Sequence, residues 1–287
     1  MVLMAGMGLL LAAGLALTLA WGGLAYAPGD PGPGTAAVAR GYLRGLAVGI
    51  TGGFWAGLLV TGPAVRLIMR LLAVTAGDAA QGRITEADEV VGSVNVDGTL
   101  ALIVFGGVAT GLLSGVLWVA VHRWLPAGRL GGVAFGGLHL VVAATRIDPL
   151  RPNNPDFDLV GPGWLSVVAF GLAAVAHGMA VAALVDRHSR AFPPARRSRR
   201  AWAAAIAPLV PAALIVSLVP ILLAISALGL GLAVLVTRSG AVVRAARSRA
   251  ALVAGRVAMA ALALACLPGF VADLHDVVAR GDVTAVP

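Results

Sequence analysis

Long apolar runs, separated by loops whose charge alternates in sign, restrict this chain to a membrane-spanning helical fold. A helix that crosses the hydrocarbon core needs about 20 mostly apolar residues, because lipid offers no partner to unpaired backbone groups. Hydrophobic residues make up 59% of the chain and the mean hydropathy is +0.93, so several such helices fit. The sequence therefore predicts an all-α, polytopic transmembrane helix bundle that forms a single membrane domain over residues 1–287.

About eight spans are expected, or seven if the run 201–236 forms one helix. As one helix that run would be ~54 Å long, which exceeds the thickness of a bilayer core. Its prolines favour two short helices instead. The predicted spans are 2–26, 45–62, 99–121, 130–145, 163–185, 201–218, 220–236 and 250–272.

The loop charges predict the orientation. The chain has no lysine, and fourteen of its arginines, with one carboxylate, lie in the windows 28–44, 122–129, 187–200 and 237–249. Eleven carboxylates and four arginines lie in the windows 77–98, 146–162 and 273–287. Because cytoplasmic loops retain arginine, the first set is expected in the cytoplasm. The protein is then a multi-pass protein of the cell (plasma) membrane with both termini outside.

The net charge of +8 does not indicate nucleic-acid binding, because most of the excess arginine lies in the predicted inner loops. These loops are expected to contact anionic lipid headgroups of the bilayer. The sequence identifies neither an oligomeric state nor a partner subunit. Ala25-Tyr26-Ala27 resembles a signal-peptidase site, but no basic segment precedes it and the apolar stretch is long. We expect the first span to be retained.

Glycines recur every four residues in three predicted spans. Small residues at this spacing allow helix backbones to approach closely. The pattern predicts tight packing of spans two to four, or a gating seam. The glycines are Gly41, Gly45, Gly49, Gly53 and Gly57 in span two, Gly107, Gly111 and Gly115 in span three, and Gly128, Gly132 and Gly136 at span four.

The outer loops contain the candidate binding residues. Thr61-Gly62-Pro63 predicts a helix break, after which Arg66 and Arg70 lie one turn apart. These arginines either reach lipid phosphates or clamp an anionic ligand. Thr85 and Asp88 resemble a capping box and predict a short helix from Glu86. The candidate ligand-binding set is Arg66, Arg70, Glu86, Asp88, Glu89, Asp148 and Arg151.

Two cofactor hypotheses concern other residues. Oxygen ligands at Asn154, Asp156 and Asp158 in the proline-rich loop 146–162 could hold a divalent cation, although their spacing is not that of an EF-hand. His139 and His177 are predicted at similar depth on spans four and five, as axial ligands of a b-type haem would be. An ordinary pair of interhelical hydrogen bonds is the alternative for the histidines.

The sequence does not identify a reaction. Our best hypothesis is transport or binding of a lipid or small anionic ligand through the outer arginine and carboxylate site. The alternatives are a membrane-embedded enzyme that acts on a lipid or isoprenoid at the outer face, a haem-binding redox protein, and a structural or assembly subunit. An enzyme would bring the loop carboxylates and the two arginines into one pocket. Asp186 is expected near an inner helix end, in reach of water.

Overall fold

The computed structural model of the protein describes residues 1–29, 34–193 and 248–283, with scattered positions between 203 and 246. These residues form helices and loops, and their only β structure is an isolated bridge between Ile84 and Val90. Five of the helices are long and apolar enough to cross a membrane. In chain order the helices are α1 (Val2–Trp21), α2 (Ala36–Thr75), α3 (Val96–Trp124), the shorter α4 (Arg129–Ala144), α5 (Gly163–Ala191) and α6 (Arg249–Val283).

The all-helical membrane class is therefore confirmed for this part of the chain, whereas five candidate spans do not establish the expected eight. Helix α2 has 40 residues and extends well beyond the predicted span 45–62 at both ends. Helix α4 matches the predicted span 130–145 but is short. The predicted spans 201–218 and 220–236 lie outside the described residues.

The expected helix break at Thr61-Gly62-Pro63 is wrong. Helix α2 continues through a π-helical turn, Gly57–Thr61, in which the Gly62 N–H donates to the Gly57 carbonyl. The wider turn shifts the hydrogen-bond pattern by one residue, so Pro63 follows it without interrupting the helix. Further π-helical segments occupy Leu102–Ala109 in α3 and Leu140–Ala144 in α4. Such segments are frequent at functional sites.

The six helices alternate in direction, which gives the bundle two chemically different ends. At one end Arg129 donates to the carbonyl of Leu19, and the Ala27 N–H donates to Ser189. We call this the arginine-rich end; it holds Arg44, Arg123, Arg129, Arg187 and Arg190. We call the other the carboxylate-rich end; it holds Glu86, Glu89, Asp148, Asp156 and Asp158. Helix α5 ends and α6 begins at the arginine-rich end.

Glycines allow two pairs of antiparallel helices to touch along their backbones. A Cβ atom on Gly49 of α2 would lie 2.7 Å from the Gly115 carbonyl oxygen of α3. In the same register Gly53 meets Gly111 and Gly57 meets Gly107. The glycines of α4 pack elsewhere, with Gly132 against Met179 and Gly136 against Ala174 and Val175 of α5. The regularly spaced glycines thus join α2 with α3 and α4 with α5, and single close contacts also occur between α2 and α5, at Gly52 and Val185.

Loops 77–98 and 146–162 fold back over the carboxylate-rich end of the bundle. Leu150 and Phe157 of loop 146–162 are buried, as are Ala80 and Val91 of loop 77–98, in one apolar cluster with Leu72 of α2. The apolar side chains therefore hold the loops to the helix ends, which fixes the position of the neighbouring charged side chains.

The short helix expected from Glu86 is absent. Ile84 instead bridges Val90, and the Thr85 hydroxyl accepts a hydrogen bond from the Glu89 N–H, as in a tight hairpin turn. Asp88 takes a left-handed backbone conformation there, with φ of 58°. This conformation is incompatible with a helix, so the capping-box pattern of Thr85 and Asp88 does not begin one here.

Candidate functional site

Arg66 is a buried cation in the part of α2 that approaches the carboxylate-rich end. Only 8% of its surface is exposed. Its Nε donates to the Thr99 hydroxyl of α3 at 2.9 Å, and that hydroxyl donates to the carbonyl of Asn95. Among the described residues, neither terminal nitrogen of Arg66 has a hydrogen-bond acceptor. The guanidinium is therefore held through one nitrogen and keeps two unpaired donor groups.

Arg70 lies one turn further along α2 and has a neutral partner too. Its Nη1 donates to the Gly92 carbonyl at 2.9 Å. Glu89 is the carboxylate whose charge acts on Arg66, but it accepts a hydrogen bond from Asn95 instead of forming an ion pair. The ion pairs of the described residues involve neither arginine. Two like charges thus stand side by side without a carboxylate partner.

Loops 77–98 and 146–162 are joined by charged contacts next to this arginine pair. Arg151 Nη2 lies 2.5 Å from Glu86 Oε2, and the Glu86 N–H donates to Asp156 Oδ1 at 2.7 Å. The side chains of Arg151 and Glu86 are 31% and 45% exposed, so water screens this ion pair and it adds little to stability. Its main effect is to fix loop 77–98 against loop 146–162.

Burial perturbs the carboxyl groups at this junction. Desolvation raises the pKa of Asp148, although the Arg151 charge opposes the shift. Desolvation also raises the pKa of Asp156, while the hydrogen bond from the Glu86 backbone lowers it. Glu86 adds a like charge that raises the pKa of both groups. The carboxylates are therefore tied to each other and to Arg151 and do not compensate Arg66.

Asp158, by contrast, is bound by the last helix. Arg280 of α6 donates from Nε and Nη2 to the two oxygens of Asp158, at 2.9 and 2.6 Å. The Asn154 side chain accepts from the Asp156 N–H. Each of the three expected metal ligands thus has another partner. No group of three or more His, Cys, Asp or Glu side chains converges as metal ligands in the described ranges.

The seven expected ligand-binding residues therefore divide into separate groups. Arg66 and Arg70, with Glu89 nearby, face α3 and loop 77–98. Glu86, Asp148 and Arg151 form the loop junction. Asp88 is exposed and serves the turn through its backbone conformation.

The buried histidines form a second polar site in the centre of the bundle. Thr61 Oγ1 lies 2.7 Å from His177 Nδ1, and His177 Nε2 lies 2.9 Å from Ser114 Oγ. Ser114 Oγ lies 3.2 Å from His139 Nε2, and His139 Nδ1 lies 3.1 Å from the carbonyl oxygen of Phe135. We call this series, which links α2, α3, α4 and α5, the histidine chain.

The Phe135 carbonyl fixes the direction of every hydrogen bond in the histidine chain. A carbonyl only accepts, so His139 must donate from Nδ1 and, when neutral, accept at Nε2. Ser114 then donates to His139 and accepts from His177 Nε2. His177 in turn accepts at Nδ1 from Thr61. Every nitrogen and hydroxyl in this order has a partner with neutral rings.

This arrangement argues against the haem hypothesis. The ring centroids of His139 and His177 lie 5.8 Å apart, but both Nε2 atoms contact the Ser114 hydroxyl. Gly132 and Gly136 pack directly against α5, so these small residues leave no space beside the histidines for a macrocycle. A macrocycle between the rings would have to displace Ser114. The histidines instead make interhelical hydrogen bonds, which was the alternative to haem ligation.

Ser114 and His139 also resemble a nucleophile and base, because the serine donates to an imidazole that the Phe135 carbonyl orients. However, Ser114 is only 2% exposed, and neither the cavity lined by Trp124 and Arg256 nor the one lined by Pro152 and Arg280 includes it. The geometry supplies a base without a path for a substrate. We therefore assign the histidine chain to packing of the four helices.

Comparisons with known proteins add no further information. No protein-family model matches the chain, and neither a curated protein nor a solved structure does. The functional argument therefore rests on the geometry of the described residues.

Proposed function

We propose that this protein binds an anionic ligand, either a lipid headgroup or a small oxyanion, at Arg66 and Arg70. The observation that carries the proposal is the buried guanidinium of Arg66, whose terminal nitrogens have no acceptor among the described residues. Taking a cation out of water costs several kcal/mol unless a counter-charge or further hydrogen bonds compensate it. A bound anion supplies both.

Chemistry at this position favours phosphate- or carboxylate-type anions. A guanidinium presents a planar fork that matches two oxygens of such a group, and Arg70 adds a second cation one turn away. The single bond to Thr99 holds Arg66 in place without consuming the fork. The carboxylates that would otherwise compete are tied to Arg151, Arg280 and Asn95.

In this proposal the protein lies in the plasma membrane with its arginine-rich end in the cytoplasm. The anion site and both termini then lie outside the cell. The positive-inside rule supports this orientation. Transport or binding of a lipid or small anion is the functional class, since the site lies where the outer part of α2 meets the loops. The arginines of the inner end contact anionic headgroups.

The membrane-enzyme alternative required one pocket that combines the loop carboxylates with Arg66 and Arg70. Glu86 and Asp156 lie instead at the loop junction, and Asp158 binds Arg280. No specific observation favours this alternative over anion binding.

Native mass spectrometry of the purified protein tests the proposal. The protein is titrated with phosphatidylglycerol, with zwitterionic phosphatidylcholine and with inorganic phosphate, and bound adducts are counted. We expect Arg66→Gln to weaken binding of the anionic probe about 10- to 100-fold, because hydrogen bonds to charged groups contribute about 1.5–3 kcal/mol. Arg83→Gln is the matched control, since Arg83 is an exposed arginine of the same loop region.

The two anionic probes, phosphatidylglycerol and inorganic phosphate, distinguish a lipid headgroup from a free anion. Preferential adducts of phosphatidylglycerol identify a headgroup, and adducts of phosphate alone identify a small oxyanion. Arg83→Gln is expected to bind as the unaltered protein does. If Arg66→Gln also binds both anionic probes as tightly as the unaltered protein, the proposal is wrong.

A further inference from the structure

Asp186 is a buried carboxylate near the arginine-rich end, on the last turns of α5. Its position near a helix end predicted access to water, but only 5% of its surface is exposed, so that prediction is wrong. The Trp118 indole N–H of α3 donates to Asp186 Oδ1 at 2.9 Å. No other hydrogen bond reaches the carboxyl oxygens from the described residues.

No cation compensates this carboxylate directly. Within residues 1–29, 34–193 and 248–283 the ion pairs are Arg151 with Glu86 and Arg280 with Asp158. Both lie at the carboxylate-rich end, opposite to Asp186. Arg190 is one turn away and its charge acts on the Asp186 carboxyl, but its Nε donates to the Ala25 carbonyl and it forms no ion pair with Asp186. An ionised carboxylate in this position would retain a buried, unpaired charge, which costs several kcal/mol.

The charged and titratable groups around Asp186 come from each neighbouring element. They are Arg44 of α2, His122 of α3, Tyr26 of the segment after α1, and Arg187, His188 and Arg190 of α5 itself. Arg44 is buried and donates to the carbonyls of Ala27, Pro28, Ser189 and Pro193.

The remaining groups have partners of their own. Arg187 stacks on Trp21, with the guanidinium 5.5 Å from the ring centroid. His122 donates to the Val119 carbonyl and stacks on Tyr26 at 4.4 Å. His188 donates to the Leu184 carbonyl. Each of these groups is thus engaged away from the Asp186 carboxyl.

We infer that Asp186 is a proton-binding site and that its carboxyl group is neutral in the folded protein at pH 5, where an exposed aspartate is ionised. A proton fits better than a metal ion, because hard cations require several oxygen ligands. The observed neighbour of the carboxyl is an N–H donor, and the nearby helix carbonyls are used within α5 or by Arg44. Ionisable residues inside membrane helices commonly mark proton pathways. The site is independent of the proposed anion site at the other end.

Infrared difference spectroscopy tests this inference on the full chain in lipid at pH 5. The spectrum of the Asp186→Asn variant is subtracted from that of the unaltered protein. Asparagine keeps the oxygen that accepts from Trp118, so this variant is expected to fold. We expect a positive carbonyl-stretch band of one protonated carboxyl group that shifts in heavy water. Asp78→Asn, which alters an exposed carboxylate, is the control and should show carboxylate bands only.

A second variant keeps the test valid if Asp186→Asn does not fold. Trp118→Phe removes the N–H donor and retains the carboxyl group, so the protonated band should persist and move to higher frequency. Symmetric and antisymmetric carboxylate bands in place of the carbonyl band would overturn the inference. A band that disappears when sodium replaces a bulky organic cation at fixed pH would also overturn it, because the ligand would then be a metal cation.

Discussion

Substitution of Ser114 by alanine tests the histidine chain at its centre. The Ser114 hydroxyl lies 2.9 Å from His177 Nε2 and 3.2 Å from His139 Nε2. Alanine removes both interhelical hydrogen bonds and leaves a buried N–H donor and a buried lone pair. The change in volume is small, so the cavity contribution is minor.

Two considerations set the size of the effect. Interhelical hydrogen bonds in membrane proteins average about 0.6 kcal/mol and reach about 1.7 kcal/mol. An unsatisfied buried polar group costs about 1–3 kcal/mol. The 2.9 Å bond is the shorter, and its N–H donor loses its only acceptor. We therefore expect Ser114→Ala to lower the free energy of unfolding by about 2–3 kcal/mol and Thr61→Val, which breaks one bond to His177, by about 1 kcal/mol.

Reversible unfolding in mixed micelles of a mild and a denaturing detergent measures these values. Ser93→Ala is the control, because the Ser93 hydroxyl is exposed and bonds only within its own turn. The double variant Ser114→Ala with Thr61→Val should cost less than the sum of the two, since both changes act on His177. Equal effects of Ser114→Ala and Ser93→Ala, or full additivity, would refute the hydrogen-bond order that we derived.

Three further predictions concern other parts of the fold. Gly53→Val should destabilise the bundle by about 3 kcal/mol or more, because its Cβ meets the Gly111 carbonyl, whereas Gly8→Val, which faces open space, should leave folded yield in detergent unchanged. Asp88→Val should cost about 1–2 kcal/mol in thermal unfolding and Asp88→Gly should be neutral, since φ is 58°. Burial raises the pKa of Asp148 above its usual value near 3.8, so its contribution to stability is full below that pH and is lost as pH rises through the raised pKa. A pH series of unfolding midpoints should become flatter in Asp148→Asn; an unchanged slope would contradict this assignment.

Sequence periodicity predicted the helical class and the charge difference between the two ends, because both depend on local composition. Long apolar stretches are helical in lipid whatever their neighbours are. The continuous helix through Pro63 was not predictable by the same reasoning, because the π-helical turn Gly57–Thr61 depends on packing against α3. Proline alone suggested an end where the wider turn accommodates it.

The candidate site was predictable only in part for a similar reason. Spacing drew attention to Arg66 and Arg70, but their lack of carboxylate partners depends on which arginine each loop acid reaches. Arg280 lies 122 residues along the chain from Asp158, and no local pattern indicated that pair. Asp186 was misjudged because its position near a helix end suggested exposure, whereas Trp118 and the segment around Tyr26 cover it.

The most direct test of the anion site is the distance between the Arg66 guanidinium and a ligand phosphorus. Solid-state nuclear magnetic resonance of arginine-labelled protein in phosphatidylglycerol bilayers measures it through the coupling of guanidinium nitrogen to phosphorus. We expect strong coupling of the guanidinium signal assigned to Arg66, which is lost in Arg66→Gln and retained in Arg83→Gln, whereas the signals of the inner arginines couple to headgroups in every variant. Coupling that is unchanged in Arg66→Gln, or absent from the unaltered protein both in these bilayers and with added inorganic phosphate, would contradict the proposal.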